Sequence, residues 1–166
     1  MDSASLNVQG KDDTTAAVPL IVAVTGHRDL VDSEIEAIKT QVTSLLEELA
    51  ARYPSHRLTV MSPLAEGADL LVAEVALELA IDLIVPLPKP KAAYIRDFRS
   101  SQAQENFHRL LEQAKEVIEL SNGTPEPPDD INRAQWESDY PYAHLGAFLC
   151  AHCHVLLAIW DGKPSH

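Results

Sequence analysis

Residues 20–30 read LIVAVTGHRDL, an apolar run of five residues followed by a polar loop with one glycine. A short β-branched run that stops at a glycine before a helical pattern is typical of the first strand of an open α/β sheet, where ligands bind at the loop after the strand. The loop begins with Thr25, Gly26, His27 and Arg28. They offer a hydroxyl, a close backbone approach and cationic or polar donors, which favours an anion such as phosphate. A tight turn with solvated side chains is the alternative interpretation.

The rest of the chain continues the alternation of strands and helices. Further short apolar runs predict strands at Arg57–Met61, Ile81–Pro88, Val117–Leu120 and His154–Trp160. Helical periodicity predicts helices at about residues 35–52, 65–77, 98–115 and 133–153, the last of them kinked or delayed by Pro141. Strands that are nearly continuous apolar runs are typical of a parallel sheet covered on both faces. The sequence therefore predicts an α/β fold, a three-layer sandwich with a mostly parallel sheet of about five strands.

The chain has 166 residues, enough for one domain with a substantial core. Residues 1–17 are polar and lack periodicity, so they are predicted to be a disordered tail. Residues 18–166 are predicted to form a single domain. Within it, residues 121–132 have the proline-rich and acidic composition of a long loop, which is often functional or mobile.

The charge balance excludes some partners. Thirteen basic residues against 25 acidic ones give a formal net charge of −12 at pH 7. Duplex nucleic acid is not an expected partner, because its binding requires a basic face and the basic residues here are scattered. No apolar stretch approaches the ~20 residues of a membrane span, and the N-terminus lacks the pattern of a secretion signal. The sequence predicts a cytoplasmic protein with no membrane partner.

Polar residues also follow other strands of the predicted sheet. In the segment that opens the second helix, Gly67 would let a phosphate approach, and Glu66 or Asp69 would bond a sugar hydroxyl. The last strand is followed by Asp161, Gly162 and Lys163. Because parallel strands place their carboxyl ends on one edge, these residues and the first loop are predicted to line one crevice. A plain helix start with acidic caps is an equally weighted alternative for the second segment.

An aromatic and cationic group lies between the third strand and the next helix. It contains Tyr94, Arg96 and Arg99. As a lid over the crevice, these residues would stack the aromatic ring on a base and place the arginines on phosphate. A solvated turn with a hydrophobic anchor is the more favoured interpretation of the same residues.

Two further observations limit the chemistry. The glycine-rich signatures of dinucleotide-binding and P-loop proteins, G-x-G-x-x-G and G-x-x-x-x-G-K-[ST], are absent. The segment 150–154 reads CAHCH and matches the C-x-x-C-H pattern of haem attachment, with residue types that also bind zinc. Because the segment runs from a helix end into a strand, packing of Cys150 and Cys153 in the core is favoured over a metal or haem. No metal and no cofactor is predicted.

Taken together, these segments resemble the SLOG superfamily of Rossmann-like domains, which includes the DNA-processing protein Smf/DprA and the LOG nucleotide phosphoribohydrolases. The matching segments are Thr25–Arg28, Ser62–Asp69, Pro86–Pro88 with Tyr94 and Asp97-Phe98, and Leu156–Gly162. The resemblance covers about residues 19–163. It implies a Rossmann-like fold and binding of a nucleotide or nucleotide-derived ligand, either in a bacterial sensor or in an enzyme that cleaves an N-glycosidic bond.

The chain departs from this superfamily in one respect. Members usually carry a Gly-Gly-Thr phosphate loop after the strand that here ends at Trp160, and no such loop occurs before His166. Either the C-terminal part of the domain is missing from this chain, or the site differs. The leading hypothesis is a nucleotide-sensing domain of a larger signalling or defence protein, with a small nucleotide-derived molecule as its partner. The alternatives are a nucleoside-monophosphate phosphoribohydrolase that uses a carboxylate such as Glu66, and an oligomerisation module that forms homo-oligomers.

Overall fold

The computed structural model describes residues 18–120 and 124–160 of the chain. The strands are β1 (Pro19–Gly26), β2 (Arg57–Met61), β3 (Asp82–Leu87), β4 (Glu116–Glu119) and β5 (Val155–Ile159). The helices are α1 (Ile35–Arg52), α2 (Ala68–Glu78), α3 (Lys91–Tyr94), α4 (Ser101–Gln113) and α5 (Arg133–His152). The strands form one sheet in the order β4-β3-β2-β1-β5, and all neighbouring strands are parallel. The predicted α/β fold with a parallel five-stranded sheet is therefore confirmed.

The larger core lies on one face of the sheet, beneath α1, α2 and α4. Almost every residue of the first nine in α2 is buried, and the alternate strand residues Val22 and Val24 are fully buried against this layer. Each aliphatic side chain removed from water in this way contributes about 1.5–3 kcal/mol. This face therefore supplies most of the apolar burial that holds the sheet.

Of the helices in the described residues, only α5 packs on the opposite face, where Leu145 and Leu149 form a smaller core with Ala23 and Met61. α5 joins β4 at one edge of the sheet to β5 at the other. The connection from β1 to β2 therefore passes over one face of the sheet, through α1, and the connection into β5 passes over the other face, through α5. In open α/β sheets, this switch point, here between the carboxyl ends of β1 and β5, is where ligands bind.

Helix boundaries differ from the sequence predictions in two places. The helix predicted from Phe98 begins at Ser101, because the Ser100 hydroxyl caps it by accepting from the Ala103 N–H at 3.1 Å. α5 continues through Pro141, although a proline cannot donate the usual helical hydrogen bond. Packing of the following turns on the sheet holds the helix together past this position.

Some sequence predictions fall outside the described residues, namely the tail at residues 1–17 and the polar group at residues 161–163. A single domain over residues 18–166 stays a prediction, although the described residues share one sheet. None of the helices in the described ranges combines the length and apolar character that a membrane crossing requires.

Candidate functional site

Two glycines bring the loop after β1 against the start of α2. Gly67 has a φ of +87°, and a Cβ added there would lie 2.3 Å from the Arg28 carbonyl oxygen and 2.4 Å from that of His27. At Gly26, an added Cβ would lie 2.5 Å from the Ala68 Cβ. The Ala68 N–H also donates to the His27 carbonyl at 3.1 Å. Close internal packing therefore accounts for both glycines, and phosphate contacts from their amides stay a prediction.

Glu66, predicted to bond a sugar, holds the start of α4 in the structure. Its Oε2 accepts from the Arg99 N–H at 2.9 Å, and its Oε1 accepts from the Ser100 N–H at 3.0 Å. A carboxylate at a helix N-terminus satisfies amides that have no partner within the helix and interacts favourably with the helix dipole. Because both oxygens are engaged, the enzymatic alternative that needs Glu66 gains no support.

Asp69 lies in the interior, at the first turn of α2, with 6% of its surface exposed. Burial raises the pKa of its carboxyl to about 7, while a hydrogen bond from the Ala65 backbone and the nearby Arg28 charge act in the opposite direction. Its Oδ1 has no hydrogen-bond partner within residues 18–120 and 124–160. The predicted sugar contact does not fit this buried position.

Asp97 joins several elements at the carboxyl edge of the sheet. Lys89 follows β3 and places its Nζ 3.0 Å from Asp97 Oδ2, and the Tyr142 hydroxyl on α5 donates to the same oxygen. Arg28 Nη1 donates to the Asp97 carbonyl oxygen at 3.4 Å. Burial acts to raise the pKa of Asp97, but hydrogen bonds from Tyr142 and Lys89 outweigh it and hold the pKa below its usual value. We call these four residues the Asp97 network.

No sequence pattern indicates this network, because Tyr142 lies 45 residues from Asp97 and only the tertiary fold joins them. Lys89 Nζ also lies 4.8 Å from the centre of the Tyr142 ring, which adds a cation–π contact. The network thus ties α5 to the turns after β1 and β3, and it places two cations, Arg28 and Lys89, at the edge where ligands bind in such sheets.

Tyr94, predicted as part of a lid, lies in the core instead. It is 1% exposed and packs edge-on against Phe98 and Phe107, with ring centroids 5.5 and 5.9 Å away. Its ring anchors the turn and is not available for stacking on a base. The exposed arginines of the predicted lid, Arg96 and Arg99, remain on the surface of the same turn. This arrangement fits the alternative of a solvated turn with a hydrophobic anchor.

A cavity of about 510 Å³ lies between α1 and β5, beside the loop that follows β1 at the switch point. Its mouth is lined by His27, Asp29, Leu30, Ile159 and Trp160. The indole of Trp160 is 64% exposed there. The residues of α1 and β5 that line it are mostly apolar, with Gln41 as the polar exception in α1, and the lining contains the carboxylates of Asp29 and Glu34 but no Lys or Arg. These walls fit a flat uncharged group better than a phosphate.

The ends of β1 and β5 lie side by side, because Thr25 pairs with Ala158 and Gly26 pairs with Ile159 in the sheet register. The His27 N–H continues this contact by donating to the Ile159 carbonyl at 3.1 Å. His27 lines the cavity, and Thr25 and Gly26 lie beside it at the end of β1; that these residues bind a ligand stays a prediction. Asp161, Gly162 and Lys163, predicted to join them, lie outside the described residues.

The two cysteines differ in environment. Cys150 is exposed, so its predicted packing in the core is wrong, whereas Cys153 is half-buried against the smaller core. Cys150 is exposed because it lies on the solvent side of α5, next to the buried Leu149. Within residues 18–120 and 124–160, no group of three or more Asp, Glu, His and Cys residues is arranged to hold a metal ion.

The fold and the crevice at its switch point define a Rossmann-like α/β domain. A structure of DNA processing protein A from Helicobacter pylori, which binds single-stranded DNA, matches it with a TM-score of 0.53 and 19% identity, over 89% of this chain and 57% of that one. DNA processing protein A (DprA) from Streptococcus pneumoniae matches with a TM-score of 0.51 and 16% identity, over 85% and 41%. This chain thus spans about half the length of these proteins. No family model and no curated protein sequence matches it.

These comparisons confirm, at the level of the fold, the expected likeness to Rossmann-like domains of the Smf/DprA type. They also correct one prediction. The sequence predicted a partner that is only a small molecule. The comparison contradicts this prediction, because the Helicobacter protein of the same fold binds single-stranded DNA. The reason for the error is physical: a base and a phosphate present the same chemistry to a crevice whether they are free or part of a strand.

Proposed function

We propose that this chain binds single-stranded nucleic acid across the carboxyl edge of its sheet, with one unpaired base in the cavity between α1 and β5. The observation that carries the proposal is the position of that cavity at the switch point, where open α/β sheets bind ligands. The choice of ligand is supported by the DNA-processing protein of the same fold that binds single-stranded DNA. The proposed ligand is therefore a nucleotide unit within a strand.

The lining of the cavity supports the part of the proposal that concerns the base. The exposed indole of Trp160 at its mouth is a surface on which any base can stack, a contact that contributes about 1–3 kcal/mol per base. The carboxylate of Glu34 would repel a phosphate but accept hydrogen bonds from base N–H groups, whereas Asp29 is already paired with Arg99, whose Nη1 lies 3.0 Å from its Oδ1. The base therefore enters the cavity and the phosphate stays outside it.

The cations at the carboxyl edge of the sheet support the part of the proposal that concerns the phosphate. Arg28 does not line the cavity and reaches instead to Asp97, which holds its guanidinium half-buried beside Lys89. A guanidinium forms two parallel hydrogen bonds with a phosphate. Arg96 adds an exposed cation on the adjacent turn, where Arg99 is also exposed but is paired with Asp29. The strand is thus expected to place its phosphates over this group.

The net charge of −12 limits how the protein binds a polyanion. Most of the surface repels phosphate, so the contact is confined to a few phosphates at the carboxyl edge. The affinity is therefore expected to fall only modestly with salt, since each neutralised phosphate of a single strand adds about −0.7 to the slope against log salt. Duplex DNA is not expected to bind, because its paired bases cannot enter the cavity.

Replacing Trp160 by alanine is expected to weaken binding of a twelve-nucleotide oligothymidylate by about 1–3 kcal/mol, because the stacking surface is lost. Fluorescence anisotropy of a labelled oligonucleotide measures the affinity. In a Trp136→Phe background, Trp160 is the only tryptophan of the chain, so quenching of its emission reports contact with a base. Tyr53→Ala removes another exposed aromatic ring, at the end of α1, and is the matched control. Absence of quenching at saturating oligonucleotide would exclude the base from this cavity.

Replacing Arg28 by alanine is expected to weaken the same oligonucleotide about tenfold, because a charge-assisted contact to phosphate is lost. The slope of affinity against salt is expected to become shallower as well. Arg52→Ala is the control, since Arg52 is an exposed arginine in the last turn of α1. Equal affinities and equal slopes for the two variants would remove Arg28 from the site. Thermal unfolding of both variants separates lost binding from lost folding.

Sensing by a larger protein and assembly into homo-oligomers stay predictions from the sequence. Light scattering of the chain with and without the oligonucleotide measures whether association depends on the ligand. A mass that rises with the oligonucleotide would link the two properties, and an unchanged mass would separate them.

A further inference from the structure

A second cavity, of about 230 Å³, opens at the carboxyl end of β3, between the turn that follows this strand and the first half of α5. Its walls include Pro88, Lys89, Pro90, Tyr140, Pro141 and His144. Proline rings have little freedom to move, so the walls keep their shape without a ligand. The volume is that of a single ring system, about half that of the cavity between α1 and β5.

One wall of the second cavity is aromatic. The Tyr140 and His144 rings stack at 24°, with their centroids 5.6 Å apart, and Trp136 lies 5.1 Å from Tyr140 on the side away from His144. The three residues follow each other at helical spacing of four, so their rings form a row along α5. Neighbouring rings limit the rotation of Tyr140. A flat π-system is the group that such a wall receives best.

The opposite side of the second cavity carries a cation. Lys89 lines it, and the Asp97 network holds the Lys89 ammonium in place through the carboxylate of Asp97 and the ring of Tyr142. Burial acts to lower the pKa of Lys89, but the hydrogen bonds to Asp97 and Tyr142 raise it above its usual value, so the ammonium stays charged. A flat ring therefore matches the aromatic wall and an anion matches the Lys89 side, whereas the Glu137 carboxylate on the α5 side would keep the anion away from that wall.

The position of the second cavity relates it to the first. The first cavity lies on the α1 face of the sheet and the second on the α5 face, and three strand spacings, or ~14 Å, separate them along the carboxyl edge. Arg28 of the Asp97 network follows β1 and lies between the two openings, and Lys89 follows β3 and lies at the second. A strand that placed one base in the first cavity would pass Arg28 before it reached the second.

We propose that the second cavity binds another unpaired base of the same single strand, packed against the row of rings that contains Tyr140 and followed by a phosphate at Lys89. This inference rests on the proposed function of the first cavity. Two linked contacts raise affinity through the effective concentration of the second base once the first is bound. Only a strand long enough to span both cavities gains from it.

Tyr140→Leu tests the second cavity, because leucine keeps apolar volume but removes the flat ring. Its affinity for a twelve-nucleotide oligothymidylate is expected to fall about fivefold to tenfold relative to the unchanged chain, whereas its affinity for a dinucleotide is expected to stay the same. Tyr53→Leu, at the amino edge of the sheet, is the matched control. Circular dichroism and thermal unfolding confirm that both variants fold.

The outcomes separate the two proposals. An unchanged affinity of Tyr140→Leu for the long strand, with wild-type binding intact, would overturn the second base site and leave the first. An equal loss for the long strand and the dinucleotide would also overturn it, since the change would then act on the first contact. No binding of either ligand by the unchanged chain would overturn the proposed function, and the second site with it.

Discussion

Replacing Gly67 by alanine is expected to destabilise the fold by about 4 kcal/mol. Gly67 has a φ of +87°, a region that costs an L-residue about 1–3 kcal/mol. The added Cβ would also lie 2.3 Å from the Arg28 carbonyl oxygen, an overlap that shifts the backbone at a cost of about 1–3 kcal/mol more. The atoms that the Cβ would meet are backbone atoms, so no side-chain movement can relieve the overlap. The hydrogen bond from the Ala68 N–H to the His27 carbonyl holds this backbone in place.

Urea unfolding followed by circular dichroism measures this loss. Gly146→Ala is the matched control, because Gly146 lies inside α5 and nothing comes within 4 Å of a Cβ added there. Alanine at that position is expected to leave stability unchanged or to raise it by up to about 1 kcal/mol, through its better helix propensity. A loss below about 1 kcal/mol at Gly67 would show that the β1 loop and the start of α2 are farther apart than described.

Replacing Asp69 by asparagine is expected to stabilise the fold by up to about 4 kcal/mol at pH 8 and by less than half of that, up to about 1.5 kcal/mol, at pH 5. Asparagine has the shape of the carboxyl group and still accepts the hydrogen bond from the Ala65 backbone, but it carries no charge. Above pH 7 the native protein must keep the Asp69 carboxylate in a buried position with one oxygen unpartnered. The amide removes that cost.

The direction follows from the proton balance of Asp69. Burial raises its pKa from 3.8 to about 7 in the native state, so between these values the native protein holds a proton that the unfolded chain has released. Stability is therefore expected to fall as pH rises from about 4 to 7, and this contribution is constant above pH 7. About 3 pH units at ~1.4 kcal/mol each give the upper limit of about 4 kcal/mol.

Urea unfolding of the wild type and of Asp69→Asn at both pH values measures the difference. Asp130→Asn is the control, because Asp130 is an exposed carboxylate whose removal is expected to change stability little at either pH. A gain of the same size at pH 5 and pH 8 would contradict a buried titrating carboxyl. A loss at pH 8 would show that the Arg28 charge outweighs burial.

Much of the fold could be predicted from local patterns. A continuous apolar run such as residues 20–24 indicates a strand that is buried on both faces, which is a property of a parallel sheet. The exposure of Leu156 in β5, at 45%, could not be predicted in the same way. It depends on how much of the second sheet face α5 covers, which the run of apolar residues does not encode.

The candidate site could be predicted only in part. The crevice between β1 and β5 was indicated by the loop after the first strand, because parallel strands end on one edge. The roles of single residues were harder to predict, since a glycine that admits a ligand and one that admits a neighbouring backbone look alike in sequence. Gly67 is of the second kind in the structure, and Tyr94 is a core residue although its neighbours are charged.

Local patterns were enough to predict the parallel sheet and the edge on which a ligand is expected, because hydrophobic periodicity and strand polarity are local properties of the chain. The polar groups that face that edge, by contrast, are set by the tertiary structure. It buried Asp69, engaged Glu66 at the start of α4, and joined Asp97 to Tyr142 across 45 residues. The reason is that burial and hydrogen bonding between distant segments depend on how the layers pack, and no local pattern records that packing.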